Sequence, residues 1–511
     1  MMDDFCKYNF RLWQNLSFID SSSKVLIEGR PFINQVISSS LCARALCDTQ
    51  GLEPIVWSSK KTIEKIYRSF HINNFLSKHE YFLENKKYIL NKTLISLITF
   101  YIKITFRSNR LNYLINDFSL EGVKLGDLIY DSYIRFDCSF IKPKIYSLKF
   151  LTILSKALIE FYSIHHYFKN NNVRFVVVSR WCYAQPGAYL SRIAVRQGVS
   201  LIATRYDKPI FVKNKEQVFF DYFKVFKSNL VKYSEEKFLL SLENRFKGIG
   251  LGFDIKTAYS GKKWDLKKLT KNFGKEFCPE KKNVFIMLHA FSDANHADGR
   301  LIFRDYYSWF IETLNLISSN DEVNWIVKKH PSLEYYNEEG LVEKCLKGYE
   351  DTSIILLPDE FNTLSVFELA DVVITARGTV ALEASVFGIP TILAGDSSFS
   401  GLGFTHEPKN IDEYEKMLQN IFQLHKLTKE QVLTAKRAYM SYSLINLPDS
   451  IKNNQSWVFA PPYTPGMADT EREQIDIEYL NTIMEIVPKK FHGSKNPYYL
   501  SLKEELIDKN A

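Results

Sequence analysis

Seven cysteines in 511 residues form no pattern. Cys6, Cys42, Cys47, Cys138, Cys182, Cys278 and Cys345 are odd in number and lack metal-ligand spacing. That excludes a disulfide framework and a zinc module. The thiols read as reduced and buried, as in a cytosolic protein. No long hydrophobic run is present either. The most apolar stretch, Tyr88–Phe106, is broken by Lys92 and Lys103 and falls short of a membrane span. It reads as a core helix, with a membrane-surface helix as the alternative. The start, Met1-Met2-Asp3-Asp4, is acidic and no apolar leader follows, so no secretion signal is expected. Arg-rich runs and nucleic-acid motifs are missing, so no nucleic-acid partner is expected. Internal repeats and low-complexity tracts are missing too. His289 and His296 are possible metal ligands, but no carboxylate-rich Asp-x-Asp accompanies them, so the expected chemistry uses no metal.

The net charge is mild, +8 from 66 basic and 58 acidic residues. It reads first as solubility charge, and second as a face for an anionic inner leaflet or an anionic polysaccharide. Hydrophobic residues make up 46% of the chain, ample for packed cores. Aromatic residues reach 14%, with 38 Phe and 29 Tyr, which suits large cores first and stacking on sugar rings second. The length suits two domains.

The order of signals gives an α/β reading. Lys24–Glu28 is a strand, Gly29-Arg30-Pro31 turns the chain into a helix over Ile33–Cys47, and Glu53–Trp57 is the next strand. Helices follow over 60–115, then a loop-to-helix segment at 122–135 and a long helix at Leu148–Asn170. Arg174–Val178 is a buried strand ending at Ser179-Arg180-Trp181. A helix to Gln197 and a strand over Ser200–Thr204 complete a first unit, residues 1–250. Residues 245–280, rich in Gly and Lys and without a period, read as a linker. A second unit, residues 275–430, has strands at Val284–His289, Val323–Lys328, Ser353–Leu357, Asp371–Thr375 and Pro390–Ala394. Residues 431–511 read as helices around a Pro-rich loop at 455–470, the last running from Asp469 or Thr470 to about Val487. Alternation of this kind gives parallel sheets covered by helices on both faces.

In such sheets ligands bind at strand C-terminal ends. Two successive turns of the second unit place polar groups there. Lys328, His330 and Pro331 follow one strand; Arg377, Gly378 and Thr379 follow another and open a helix. Gly378 lets the backbone approach an anion, Thr379 adds a donor, and Glu383 lies about one helical turn on, able to accept from ribose hydroxyls. His330 would add a donor to the same anion. Each piece alone is as well read as a cap or a loop residue; together they point to a ligand site. Asp293, in the polar loop after Val284–His289, is the candidate catalytic carboxylate, the alternative being an Asx turn or an N-cap for a helix starting near Phe303. Arg30, Asp127, Arg135 and Arg180, with Glu28 and Asp131, lie near strand ends or a helix start of the first unit. They are candidates for acceptor contacts, each alone better read as structural; Arg30 and Arg135 would suit an anionic acceptor.

Lys328-Lys329-His330-Pro331, Ala370-Asp371-Val372-Val373-Ile374-Thr375, Gly378-Thr379-Val380-Ala381-Leu382-Glu383-Ala384 and Gly388-Ile389-Pro390-Thr391-Ile392 carry a resemblance over about residues 280–400. This stretch resembles the nucleotide-binding domain of bacterial surface-polysaccharide glycosyltransferases of the GT-B fold, in particular capsule and lipopolysaccharide Kdo-transferase-like proteins. The resemblance implies two Rossmann-like domains facing each other across a cleft, an acceptor domain first and a nucleotide-sugar domain second. It also implies C-terminal helices crossing back to the first domain. It implies a CMP-activated donor as substrate rather than a cofactor, and a lipid-linked or oligosaccharide acceptor. His330 would act on the leaving phosphate, and an aspartate upstream of the His-Pro, here Asp293, would serve as nucleophile. A cytoplasmic protein follows, peripheral at the inner membrane and in contact with polysaccharide-assembly partners. A CDP-alcohol phosphotransferase of the teichoic-acid type has a similar arrangement, and a non-catalytic assembly protein could keep the fold. The Ser-Gly-Gly turn of the sugar-nucleotide epimerases is absent at Ala376–Thr379.

Overall fold

A computed structural model describes residues 2–15, 22–30, 32–58, 61–137, 140–179, 182–205, 208–212, 230–248, 253–274, 277–297, 299–350, 352–446, 474 and 497–508. Two separate sheets organise the chain. The first contains β1 (Ser23–Glu28), β2 (Glu53–Ser58), β3 (Asn74–Ser77), β6 (Asn172–Val178), β7 (Ser200–Arg205) and β8 (Lys208–Val212) in the order β3-β2-β1-β6-β7-β8. All neighbours are parallel except β8, which runs antiparallel to β7. A two-stranded antiparallel hairpin, β4 (Ser119–Leu120) with β5 (Val123–Lys124), stands apart. The second sheet contains β9 (Asn283–Met287), β10 (Asn324–Lys328), β11 (Ile354–Leu356), β12 (Val372–Thr375) and β13 (Thr391–Leu393), all parallel, in the order β11-β10-β9-β12-β13.

The sequence dictates this arrangement through continuous apolar strands. Every residue of β9, β10, β12 and β13 is buried, as parallel strands covered on both faces require. Val284 and Ile286 enter one apolar cluster and Phe285 and Met287 another, on opposite faces of the sheet. In the first domain the helix Ile33–Gln50 covers one face with Val36, Leu41 and Leu46, beneath Val25 and Ile27. It stops at Gly51, whose left-handed φ of 65° lets its N–H reach the Cys47 carbonyl. Leu26, Val176 and Val178 pack on the other face against the helices Lys78–Thr105, Gly126–Asp137 and Leu148–Asn170.

This is the GT-B architecture, two Rossmann-like α/β domains meeting across an interface. The helix Pro497–Asp508 returns to the first domain: Tyr499, Leu502 and Leu506 share its core, and the Tyr499 hydroxyl donates to Asp48 at 2.6 Å. The Pro-rich loop at 455–470 and, apart from Gln474, the helix expected to end near Val487 lie outside the described residues. Two expectations change. The segment read as a linker, 245–280, carries the helices Phe253–Ser260 and Leu266–Phe273. Asp265 caps the second of these, and Trp264, Leu269 and Phe277 anchor it on the second sheet. Strands β3 and β8, at the two edges of the first sheet, extend it beyond the expected strands.

Candidate active site

In the second sheet the chain order reverses between β9 and β12, and the crevice outside the carboxyl ends of those strands is the switch point. His289 follows β9 into that crevice. Its Nε2 accepts from the backbone N–H of Arg377 at 3.2 Å and lies 3.2 Å from Thr375 Oγ1, both on the segment leaving β12. Burial, and then the nearby charges of His330 and Arg377, hold the His289 imidazole well below the usual histidine range. It is therefore neutral, with its proton on Nδ1. Its ring stacks on Tyr306 at 4.3 Å and lies parallel to His330 at 6.3 Å, the planes 9° apart.

His330 follows β10, the neighbouring strand, so pairing of β9 with β10 sets the two imidazoles side by side. Its Nδ1 accepts from the Ser332 N–H across Pro331 at 3.2 Å. Arg377 is buried. Its Nη2 donates to the carbonyls of Gly299 and Arg300 at 3.4 Å, while Nε and Nη1 are buried without a hydrogen-bond partner. Glycines make this packing possible. A Cβ on Gly378 would meet Thr375 Oγ1 at 3.0 Å and His289 Nε2 at 3.6 Å, and one on Gly395 would meet Arg377 Nη2 at 3.2 Å. Lys328, the last residue of β10, is buried, and burial lowers its ammonium to about 8. Lys329 is spent on Glu343 and Asp359, each 2.6 Å away.

Thr379 and Glu383 lead elsewhere. Arg245, on the helix Glu235–Phe246, donates through Nε to Glu383 at 2.7 Å and through Nη2 to Thr379 at 3.3 Å. The Tyr259 hydroxyl donates to the other Glu383 oxygen at 2.7 Å. Both carboxylate oxygens are thus engaged within the protein and Glu383 is buried, in place of the free acceptor expected for a ribose. The helix that Gly378-Thr379 opens, Val380–Val386, is short and has no side-chain cap.

Asp293 sits in the loop after β9, half-buried, and caps no helix. The next helix, Tyr306–Ile317, starts later than expected and is capped by Asp305, which accepts from Ser308 N–H at 2.7 Å. Glu338 fastens the base of the loop. Its carboxylate accepts from Phe291 N–H at 2.7 Å, Ser292 N–H at 2.8 Å and Ser292 Oγ at 2.7 Å. Burial pushes the Glu338 carboxyl up to about 7 against those donors. The first domain holds the tip of the loop: the Tyr183 hydroxyl accepts from Ala294 N–H at 3.1 Å and lies 3.4 Å from Asp293 Oδ1. Tyr183 and Ala294 both adopt positive φ, 63° and 38°, a strained backbone for side chains with a Cβ. Nothing local in the sequence marks Glu338 or Tyr183, because both act over 45 residues or more of chain, with separations of 46 and 110 to the loop.

Of the other residues named from the first domain, Asp127, Asp131 and Arg135 line or brace the seam between the domains. Asp131 accepts from His296 N–H at 2.9 Å and lies 2.6 Å from its Nδ1. Tyr130 donates to Asp305 at 2.5 Å. Arg135 bonds the Tyr335 carbonyl at 3.3 Å and sits 4.3 Å from the centre of the Tyr336 ring. Asp127 forms a buried bidentate pair with Arg192, at 2.6 and 2.7 Å, on the wall of a cavity of about 1000 Å3 between the domains. Arg30 donates to Gln185 at 2.7 Å and faces Glu28, whose carboxylate accepts from Ser179 at the switch point of the first sheet. Arg180 lies outside the described residues. Among the described residues no group of three or more His, Cys, Asp or Glu side chains could hold a metal ion.

Fold and site thus define a two-domain α/β protein with a cationic crevice on the ligand edge of its second sheet. No family model matches the chain, and no curated protein matches it in sequence. Solved structures of similar form include a β-Kdo 2,4-transferase, KpsC of Thermosulfurimonas dismutans, at 15% identity over 52% of this chain and 79% of that one, with a TM-score of 0.31. A glycosyltransferase of Rickettsia africae matches at 10% identity over 92% of this chain and 100% of that one, TM-score 0.27. The UDP-GlcNAc 2-epimerase of Neisseria meningitidis, bound to UDP-GlcNAc, matches at 10% over 84% and 98%, TM-score 0.25. Likeness at this level assigns no activity, and the functional reading rests on the site.

Proposed function

We propose that the protein is a glycosyltransferase that moves a sugar from a CMP-activated donor to a growing surface polysaccharide, O-antigen or capsule, with Kdo or a related acidic sugar favoured. One observation carries the reading. The buried Arg377 guanidinium keeps Nε and Nη1 without partners in the switch-point crevice, beside His289 and His330. Buried donors are normally satisfied, so an unsatisfied pair in a crevice calls for a ligand. A planar guanidinium suits the oxygens of a phosphate. The choice of cytidine and of an acidic sugar rests on the resemblance of residues 280–400.

In this reading Arg377 and His330 stabilise charge developing on the leaving phosphate, helped by the close backbone approach at Gly378. Neutral His289 takes no charge itself; it fixes the Arg377 backbone and stacks beside His330. Lys328 adds positive potential from the end of β10. Thr379 and Glu383 hold the turn in shape through Arg245 and Tyr259. Asp293 faces the first domain through Tyr183 and is the carboxylate offered to the anomeric carbon, as nucleophile or as base. Arg30, Asp127, Arg135 and Arg180 belong to the acceptor side. Release of CMP from a CMP-sugar, measured with and without an oligosaccharide acceptor, tests the proposal. Acceptor-dependent CMP release that disappears in Arg377→Gln supports it. An enzyme inert toward CMP-sugars and active with a UDP- or GDP-sugar contradicts the donor assignment.

A further inference from the structure

The helix Lys78–Thr105 packs its inner face on the helix Leu148–Asn170, burying Ile89, Thr93, Ser96, Phe100 and Ile104. Its outer face is also apolar. Leu90, Leu94, Ile95, Ile98, Ile102 and the following Phe106 are between 47 and 85% exposed. At 3.6 residues per turn they fall on one side of the helix, in a stripe about 24 Å long. The next segment widens it. Tyr146, exposed, sets its ring 5.9 Å from that of Tyr101, and Leu148 beside it is exposed as well. Apolar surface this extensive marks an interaction site.

Its margins are cationic. Lys86 and Lys87 stand at one end of the stripe, and Lys103, Arg107 and Arg110 at the other. Lys142 and Lys144 lie exposed beside Tyr146. Glu80 and Glu84, both exposed ahead of the stripe, are the acidic residues on that side of the helix. We propose that this face docks on the surface of an anionic lipid bilayer, the helix lying in the interfacial plane with its stripe among the acyl chains and its cations on the headgroups. Two features choose lipid over a second copy of the chain. A twofold contact through the stripe would bring two rims of the same sign together, and that repels. An anionic headgroup layer pairs with every one of those cations. No helix among the described residues is long and apolar enough to cross a membrane, so the contact is superficial.

The stripe ends at Phe106, and Asn109, Leu111 and Asn112 directly after it line the interdomain cavity with Arg196 and Arg304. Docking therefore sets the mouth of that cavity next to the bilayer, where a lipid-borne acceptor reaches it without entering bulk water. This consequence rests on the transferase reading; the docking itself does not.

Co-sedimentation of the full chain with vesicles tests the proposal, using phosphatidylcholine alone and phosphatidylcholine mixed with phosphatidylglycerol. The protein should sediment with the anionic vesicles, and binding should weaken as salt is raised. The double substitution Leu94→Gln and Ile98→Gln should cut binding about tenfold, from the apolar area withdrawn. Both positions are exposed, so thermal midpoint and circular dichroism should stay at wild-type values. Lys103→Glu should weaken anionic binding while leaving the apolar face intact. Absence of sedimentation with anionic vesicles overturns the proposal. So does equal binding by the double variant, or a wild-type dimer in light scattering that becomes a monomer in the double variant.

Discussion

His289 and His330 lie parallel, ring centroids 6.3 Å apart, because each is delivered by one of two adjacent parallel strands. With Arg377 they crowd three nitrogen-rich groups into one crevice. Burial and the two neighbouring charges keep His289 neutral. An anion seated there would satisfy the unpaired guanidinium donors.

Substitution of His330 by alanine should therefore damage turnover more than fold. Loss of one donor to a developing oxyanion costs about 2.7–4 kcal/mol of barrier, roughly 10²–10³ in kcat. His330 is half-buried at a strand end, so the thermal midpoint should move little. Steady-state CMP release gives the first number and a melting curve the second. Wild-type turnover in His330→Ala would remove the residue from the chemistry.

Asp293→Asn should stop sugar transfer while nucleotide binding persists, since Asp293 sits on the loop and not on the Arg377 turn. Intact-protein mass spectrometry with donor separates two roles. A glycosyl adduct on the wild-type chain that is missing from Asp293→Asn identifies a nucleophile; no adduct with activity still lost identifies a base. Normal transfer by Asp293→Asn contradicts both.

Glu338 should matter for stability. It is the acceptor for two buried backbone N–H groups and a hydroxyl. A buried donor left unpaired costs about 1–3 kcal/mol, so Glu338→Ala should lower unfolding free energy by about 2–4 kcal/mol. Denaturant titration reads this directly. An effect under about 0.5 kcal/mol, the size usual for surface changes, would show that the loop is held by other means.

The seam between the domains should depend on pH. Burial alone would lower the His296 imidazole, but Asp131 beside it outweighs burial and leaves its pKa raised. A histidine raised in the folded state adds stability that is fully present below its unfolded value, about 6.5, and is lost as pH rises through the folded value. The melting-temperature gap between wild type and Asp131→Asn should be widest below about pH 6.5 and close toward alkaline pH. A gap that does not change with pH would mean that His296 carries no charge in the pair.

Much of the second sheet is legible in the sequence because its strands are unbroken apolar runs and the helix before β13 ends on a glycine. Gly388, at a φ of 79°, closes the helix that follows the Gly-Thr turn. Edge strands are harder. β3 is four residues long and half-buried throughout, so no apolar run announces it. The helix Leu266–Phe273 hides among lysines, with Leu269 its single buried residue. At the site, the turns bearing His330 and Arg377 follow from strand ends and local chemistry. Glu338 does not, because its partners lie 46 and 47 residues away. Glu383 shows the converse: a local pattern aims it at a cleft, while Arg245, 138 residues distant, claims its carboxylate.

The role proposed for the crevice around Arg377 is to bind the nucleotide of a CMP-activated sugar. Isothermal titration of CMP, UDP and GDP into the wild-type chain and into Arg377→Gln tests it most directly. CMP should bind more tightly than UDP or GDP, and Arg377→Gln should abolish the CMP isotherm while remaining folded. CMP binding that survives unchanged in Arg377→Gln, or no nucleotide binding by the wild-type chain, would contradict it.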